Sequence, residues 1–488
     1  GKKLKLPKLK DKDNPLLRES IRDIGEPAVV LDSTLTQQTR LQLSKFLFSK
    51  GYFNNKVSDS IVFEKNSKRV TVEYKIHPYI PYKINKITYK MDDEKLGSLF
   101  LADTLHSLIK RGVNYDIEKF SNERQRLTDF ALNNGYYYFE SAYINFNIDS
   151  NATNHTVDVQ LVLKKFSQNF NSANDSLVLV NHTRYKIDNV YIITEPVVGN
   201  LREANFKDTL HIKNKTSVYL LNNPLPYRKV VIANYIDIYK NQLFRKDTAE
   251  MTYKQLLGLG IFKNVSIQFI KSTTYSNRLD CYIICNPLLK QVATAETQGT
   301  NTSGNLGIDG SLIYQNRNFF KGGELVELKL QGSISAQNQT NKQTSTDNVT
   351  NLKETFNTVQ FGPEFTFSVP RAFFPFSLLP FKKEMSPRTF VKTSLNYQSR
   401  SDFSRVITSI SYGFNFKTSQ NRFRHEIVPL EVYLVRANLT PSFKSDLERL
   451  GDAFLLNSFN DHITTLSKYS VSYTSKENSN TSRKIVSY

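Results

Sequence analysis

Two cysteines in 488 residues cannot build a disulfide framework, and both fall in one apolar run, at Cys281 and Cys285. If that run is a strand, their Cα atoms lie about 13 Å apart, beyond a disulfide's reach, so they read as two small apolar side chains. Long hydrophobic runs are also missing. The longest uncharged one, Ala372 to Phe381, has ten residues and two prolines. A membrane helix needs about 20, which excludes a helical membrane protein. Glycine and proline number only 19 and 16, too few for a collagen-like or low-complexity chain.

Catalytic signatures are equally sparse. The histidines, at 77, 106, 155, 182, 211, 425 and 462, have no partner at metal-ligand spacing. There is no Gly-x-Ser-x-Gly elbow and no Walker loop, and Gly304-Asn-Leu-Gly-Ile-Asp-Gly310 has the wrong glycine spacing for a dinucleotide. Asp92-Asp93-Glu94 reads as a helix N-terminus. The expectation is a protein that is not an enzyme, with no metal and no cofactor.

Hydrophobic residues make up 39% and aromatics 12%, enough for two to four domains with real cores. The net charge of +20 suits nucleic acid, an anionic membrane surface or plain solubility. No nucleic-acid module accompanies it, so the basic surplus reads as a solvated face and no nucleic-acid partner is expected. Residues 1–30 are Lys-rich and polar, an arm or the remnant of an upstream domain, with a short helix expected around Leu16 to Ile24. The chain opens Gly1-Lys-Lys without an initiator Met or an apolar signal segment, so it is expected to be a mature or trimmed product.

A unit recurs in residues 31–288. Leu43, Phe46 and Leu47 lead into Gly51-Tyr52-Phe53; Leu127, Phe130 and Ala131 into Gly135-Tyr136-Tyr137; Tyr253, Leu256 and Leu257 into Gly260-Ile261-Phe262. Each is an amphipathic helix closed by a glycine. A hairpin follows each: Val57–Phe63 with Arg69–Ile76, Ser141–Ile148 with Thr156–Lys165, and Val265–Ile270 with Arg278–Pro287. Tyr82-Lys-Ile-Asn-Lys-Ile87 and Tyr185-Lys-Ile-Asp-Asn-Val190 open two of the units with a matching strand. The expected domains are 31–80, 81–166 and 182–288, the last with an unassigned insert at 194–226.

From residue 289 onward the period is two. Leu306–Tyr314, Val326–Ile334, Val359–Val369, Val391–Tyr397, Val406–Phe416 and Val428–Leu434 alternate apolar with polar residues. A soluble sandwich alternates too. The strand length favours a membrane β-barrel, because runs of about 10 to 14 residues match a tilted bilayer crossing. Tyr314, Phe319, Phe320, Tyr397 and Phe416 stand at the ends as interface aromatics, and Phe414 and Ile410 are expected to face lipid while Ser411 and Asn415 face the lumen. The connections 318–323, 370–387 and 418–422 fall on one side of the sheet, and 300–304, 337–351 and 442–461 on the other.

The glycine-aromatic repeat resembles POTRA domains, the periplasmic modules of the BamA/TamA outer-membrane superfamily. The run Tyr314-Gln-Asn-Arg-Asn-Phe-Phe-Lys-Gly-Gly-Glu324, with Asn316, Asn318, Phe319, Gly322, Gly323 and Glu324, resembles the first periplasmic turn of that family's barrel. Gly25-Glu26-Pro27 and His425-Glu-Ile-Val-Pro-Leu430 are similar to its TamL-like branch in Bacteroidota. The resemblance implies tandem α+β POTRA domains followed by an antiparallel transmembrane β-barrel in 289–488, the N-terminal half of a sixteen-stranded one. About eight strands are counted here, and the family's inward-folded loop and closing strand are missing, so an open half-barrel is expected. The resemblance also implies a lateral seam at a polar first strand, Gln291 to Gln298, carried by Gln291, Thr294, Glu296, Thr297 and Gln298. Its implied partners are unfolded outer-membrane clients, outer-membrane lipid and a TamB-like periplasmic protein, at the outer membrane of a Gram-negative bacterium with the POTRA domains in the periplasm. A passive surface binding module and a polyanion or nucleic-acid binder stand as alternatives.

Overall fold

The computed structural model describes residues 30–64, 69–169, 177–194, 208–212, 216–220, 227–302, 305–336, 357–373, 385–418, 422–450 and 459–474. Nearly all of the 1–30 arm, the 337–351 connection and most of the apolar segment after Ala372 lie outside them. The chain forms two compact units, Gly1–Phe130 with Phe139–His182, and Ala131–Tyr138 with Thr183–Tyr488.

The first unit begins with α1 (Ser33–Ser49) and the antiparallel hairpin of β1 (Lys56–Phe63) and β2 (Val70–His77). Asp32 starts the helix, its carboxylate accepting the Thr34 amide at 2.7 Å, which satisfies one of the donors a helix start leaves over. An α+β layer follows: β3 (Lys83–Met91), α2 (Glu94–Ala102), α3 (Ile117–Asn133), β4 (Ile144–Asn151) and β5 (Thr156–Leu163). Its sheet order is β3-β5-β4, with β3 parallel and β4 antiparallel to β5. Asp93 caps α2 by accepting the Leu96 amide at 3.1 Å, and its second oxygen takes the His182 amide at 2.6 Å. β6 (Phe166–Asn169) and β7 (Leu177–Val180) form a short hairpin.

The second unit repeats the layer with β8 (Lys186–Ile193), α4 (Lys229–Asn234), α5 (Lys246–Gly258), β11 (Phe262–Lys271) and β12 (Arg278–Pro287). The insert left unassigned by the sequence supplies two strands to it, β9 (Asp208–Ile212) and β10 (Thr216–Leu220), and the sheet order is β11-β12-β8-β10-β9. Ile187, Val190, Ile192, Ile232, Leu256, Cys281, Ile283 and Cys285 make its core. Burial pushes both thiols up, Cys285 to about 12, as expected of inert core cysteines.

Eight strands come next in a plain meander: β13 (Gln291–Thr302), β14 (Asn305–Arg317), β15 (Leu325–Ser335), β16 (Thr358–Val369), β17 (Arg388–Ser399), β18 (Phe403–Thr418), β19 (Phe423–Leu439) and β20 (His462–Tyr473). The stretch expected to be a plain connection after β19 contains a helix, α6 (Pro441–Leu450), which buries Leu447. Register stacks the apolar positions on one face, with Leu312 opposite Leu330, Leu328 opposite Phe365, Phe367 opposite Val391 and Ile410 opposite Val432. Among the described residues nothing pairs β13 with β20, so the sheet is open.

Candidate functional site

The recurrent glycines are joints. Gly51 has φ +92°, its amide meets the Phe48 carbonyl at 3.1 Å and the Tyr52 amide meets the Leu47 carbonyl at 3.0 Å, a left-handed helix cap. The turn frees the Gly51 carbonyl to accept the Tyr82 amide at 2.8 Å, at the entry to β3. A Cβ on Gly51 would stand 2.7 Å from the Tyr115 carbonyl oxygen, so no side chain fits. Phe53 packs on Tyr82 and Tyr115 at ring-centroid distances of 4.6 and 5.1 Å.

The second unit builds the same device. Gly135, at φ +95°, accepts the Tyr185 amide at 2.8 Å, and Tyr136 closes the cap on the Ala131 carbonyl at 3.2 Å. The ring of Tyr136 is buried with the Arg184 guanidinium 5.9 Å from its centroid, while Tyr137 packs on Phe244 at 4.9 Å. In each copy a short segment lies antiparallel to the strand entry, Gly112–Tyr115 on β3 and Asn241–Phe244 on β8.

The third joint meets the eight-stranded sheet. Gly260 is at φ +71°, and the Arg388 guanidinium, at the start of β17, donates to the Leu259 carbonyl at 2.8 Å. Phe262 goes into the core against Tyr227. Beside this joint sits the turn 318–324. The Glu324 carboxylate accepts the Gly322 and Phe320 amides at 2.9 and 3.2 Å, and the Asn318 side chain accepts the Gly323 amide at 3.1 Å. The motif is therefore a self-folding anchor: it needs the acid, the amide and the glycines at these spacings to satisfy a buried turn. The Lys321 carbonyl takes the Arg228 amide at 2.7 Å, and a Cβ on Gly323 would touch Pro370, Leu259 and Ile261. Phe319 and Phe320 remain exposed, and Asn316 is buried on β14 opposite Gln291.

On β13, Thr294, Glu296 and Gln298 share the polar face, Gln298 donating to Asp309 at 3.2 Å. Glu296 and Gln298, with Ser311, Lys329 and Gln331, border a polar trough of about 260 Å³. The apolar face of β13 carries Ala293, Ala295 and Gly299 beside Gln291 and Thr297, small where its neighbours show Leu and Ile. One expectation fails: Ile410 is 53% exposed on the outer face, but Phe414 on the same strand is 1% exposed. Phe414 packs edge-on against Tyr412, whose hydroxyl reaches the Phe373 carbonyl of the segment after β16, so local structure covers that end of the face.

Three features carry no short motif. Asp158 and Asp280 each accept the amide of a bulged residue on the neighbouring parallel strand, Lys86 at 3.1 Å and Asn189 at 3.2 Å. Glu123, buried in α3, accepts from the Leu108 amide and from Arg126, and its bond to the guanidinium, with that of Asp103, holds the Arg126 pKa up. Arg388 is the third. The matched positions Asn85/Asp188 and Asp158/Asp280 in the aligned copies were the available signal for the first. Among the described residues no group of His, Cys, Asp and Glu could hold a metal ion.

No protein-family model and no curated protein matches the chain. Solved structures do. BamA from Haemophilus ducreyi lacking POTRA domains 1–3 shares 11% identity over 82% of this chain and 61% of its own, with a TM-score of 0.40. CdiB from Acinetobacter baumannii shares 8% over 85% and 65%, with a TM-score of 0.34, and BamA POTRA3–5 from Haemophilus influenzae 10% over 51% and 80%, with a TM-score of 0.29. The chain thus spans less than two thirds of the first and second of these.

Proposed function

We propose that this chain is part of an outer-membrane protein insertion or translocation factor of BamA/TamA type, with POTRA-like domains in the periplasm of a Gram-negative cell. The observation that carries the reading is the face arithmetic of the eight strands. Leu312, Leu330, Phe361, Phe365, Tyr397 and Ile410 are exposed on one side, while Glu364, Lys392, Ser394 and Ser411 occupy the other. So large an apolar face is unfavourable in water and suits acyl chains, and the polar side suits a wet lumen.

On this reading the domain sheets receive extended client segments by strand addition, which tolerates client sequence because the main chain makes the bonds. The open β13 edge, polar on the lumen side and small on the other, is the lateral seam through which client strands enter. The finer assignment is a TamL-like branch member working with a TamB-like periplasmic protein. Depletion in the native host, with proteomics of outer-membrane fractions, tests the reading: other barrels should fall in abundance. Normal levels of those barrels, or recovery of the chain in the soluble fraction, would count against it.

A further inference from the structure

The second and third α+β domains differ at one sheet edge. Superposing the repeats by register places Ile87, Thr88 and Tyr89 of β3 where Val190, Tyr191 and Ile192 stand in β8, each following the same bulge. Both strands have the first part of the outer edge covered by the segment before the long helix. Beyond it, β8 pairs in parallel with β10, Val218 on Val190, Tyr219 on Tyr191 and Leu220 on Ile192, whereas among the described residues nothing pairs with the outer edge of Ile87–Tyr89.

We propose that β10, backed by β9, is a resident strand, filling in cis the acceptor edge of the third domain and leaving the equivalent edge of the second open to an extended client segment. This rests on the reading of these domains as strand acceptors. An edge of free N–H and C=O groups takes any extended chain, and β10 shows its geometry: parallel, and in register from Val190. The contact is only three residue pairs long and parallel, the weaker kind of pairing, so it can be displaced. Because β10 is tethered, its effective concentration is on the order of millimolar, and a free segment at lower concentration loses the competition. β9 then pairs antiparallel with the outside of β10, so the new edge is a five-residue strand. The β8 edge of the domain nearest the eight-stranded sheet is thus closed by default.

The test uses the full chain, hydrogen exchange and a photo-crosslinking peptide with the sequence of residues 214–222. In the unaltered chain, the amides among 190–192 that point to β10 should exchange at least about tenfold more slowly than their counterparts among 87–89, and the peptide should cross-link to 86–91 only. Tyr219→Pro should abolish that protection and add cross-links at 186–193, with the Tyr185 amide still protected as a sign that the domain is folded. Retained protection of those β10-facing amides in this variant overturns the proposal, as does an opened β8 edge that the peptide ignores while labelling 86–91. If the peptide labels neither edge once β8 is open, strand addition itself fails. Should it label both edges of the unaltered chain, the resident strand fails and strand addition stands.

Discussion

β12 and β18 are written in the same period-two pattern and end in opposite surroundings. In β12, Leu279, Cys281, Ile283 and Cys285 have no exposed surface, because α4 and α5 cover that face of the sheet. On β18, Ile410 stands exposed, and no described helix lies over the eight-stranded sheet's apolar face. Alternation therefore fixes which residues share a face and leaves open what that face meets. A helix within the same domain makes it a core; without one, another solvent must take its place.

The sharpest way to break this contrast is to cut the core. Ile283→Ala should cost about 2–5 kcal/mol in denaturant unfolding through lost burial and a cavity. The parallel experiment on the outer face is Ile410→Arg, assayed by refolding into lipid vesicles. A charge near mid-membrane costs about 2–4 kcal/mol there, and Asn415→Arg on the polar face much less. Equal penalties at 410 and 415 would show that the outer face does not meet lipid.

The joints offer a finer comparison. Gly51→Ala brings a Cβ to 2.7 Å from a backbone oxygen, whereas at Gly135 the obstacle is the flexible Leu243 side chain at the same distance, and at Gly112 nothing lies within 4 Å. All three have positive φ, so each substitution carries a conformational cost of about 1 kcal/mol, with the extra strain largest at Gly51. Thermal melts should rank 51 above 135 above 112; a reversed order would detach the joint from stability.

The smallest effect is one of pH. Burial holds the His182 imidazole below its ordinary value, with its ring nitrogen 3.0 Å from the Lys164 carbonyl. A base whose folded pKa is depressed is at full stability above its unfolded pKa, about 6.5, and loses stability as pH falls below that value, where the unfolded chain takes up the proton first. Acidification from pH 7.5 to 5 should lower the hydrogen-exchange protection factors of residues 164–169 and 177–182, taken relative to the intrinsic rate at each pH, and His182→Gln should flatten that dependence.

The repeat, its three hairpins and the two-faced strands were legible in the sequence because each is encoded within a few residues: a helical stripe, a glycine at its end, an alternating run. The turn 318–324 was legible as a motif, and its chemistry, Glu324 and Asn318 satisfying the turn's own amides, is local as well. Phe414 was misplaced because its parity is that of Ile410, and parity says nothing about a neighbouring segment covering one end of the strand.

By itself the sequence determined the order of the modules, the helix stops at Gly51, Gly135 and Gly260, and which residues of each strand keep company, since period and backbone preference act over short distances. Tertiary structure alone decided that Gly51 receives Tyr82, that Gly135 receives Tyr185 and that Arg388 donates to the Leu259 carbonyl beside Gly260. It also decided that the insert adds β10 beside β8. Those pairings join residues about 30 to 130 positions apart, where any unpaired N–H or C=O would serve as a partner. The choice among them comes from the packed geometry that brings two segments together, and no local run of residues records it.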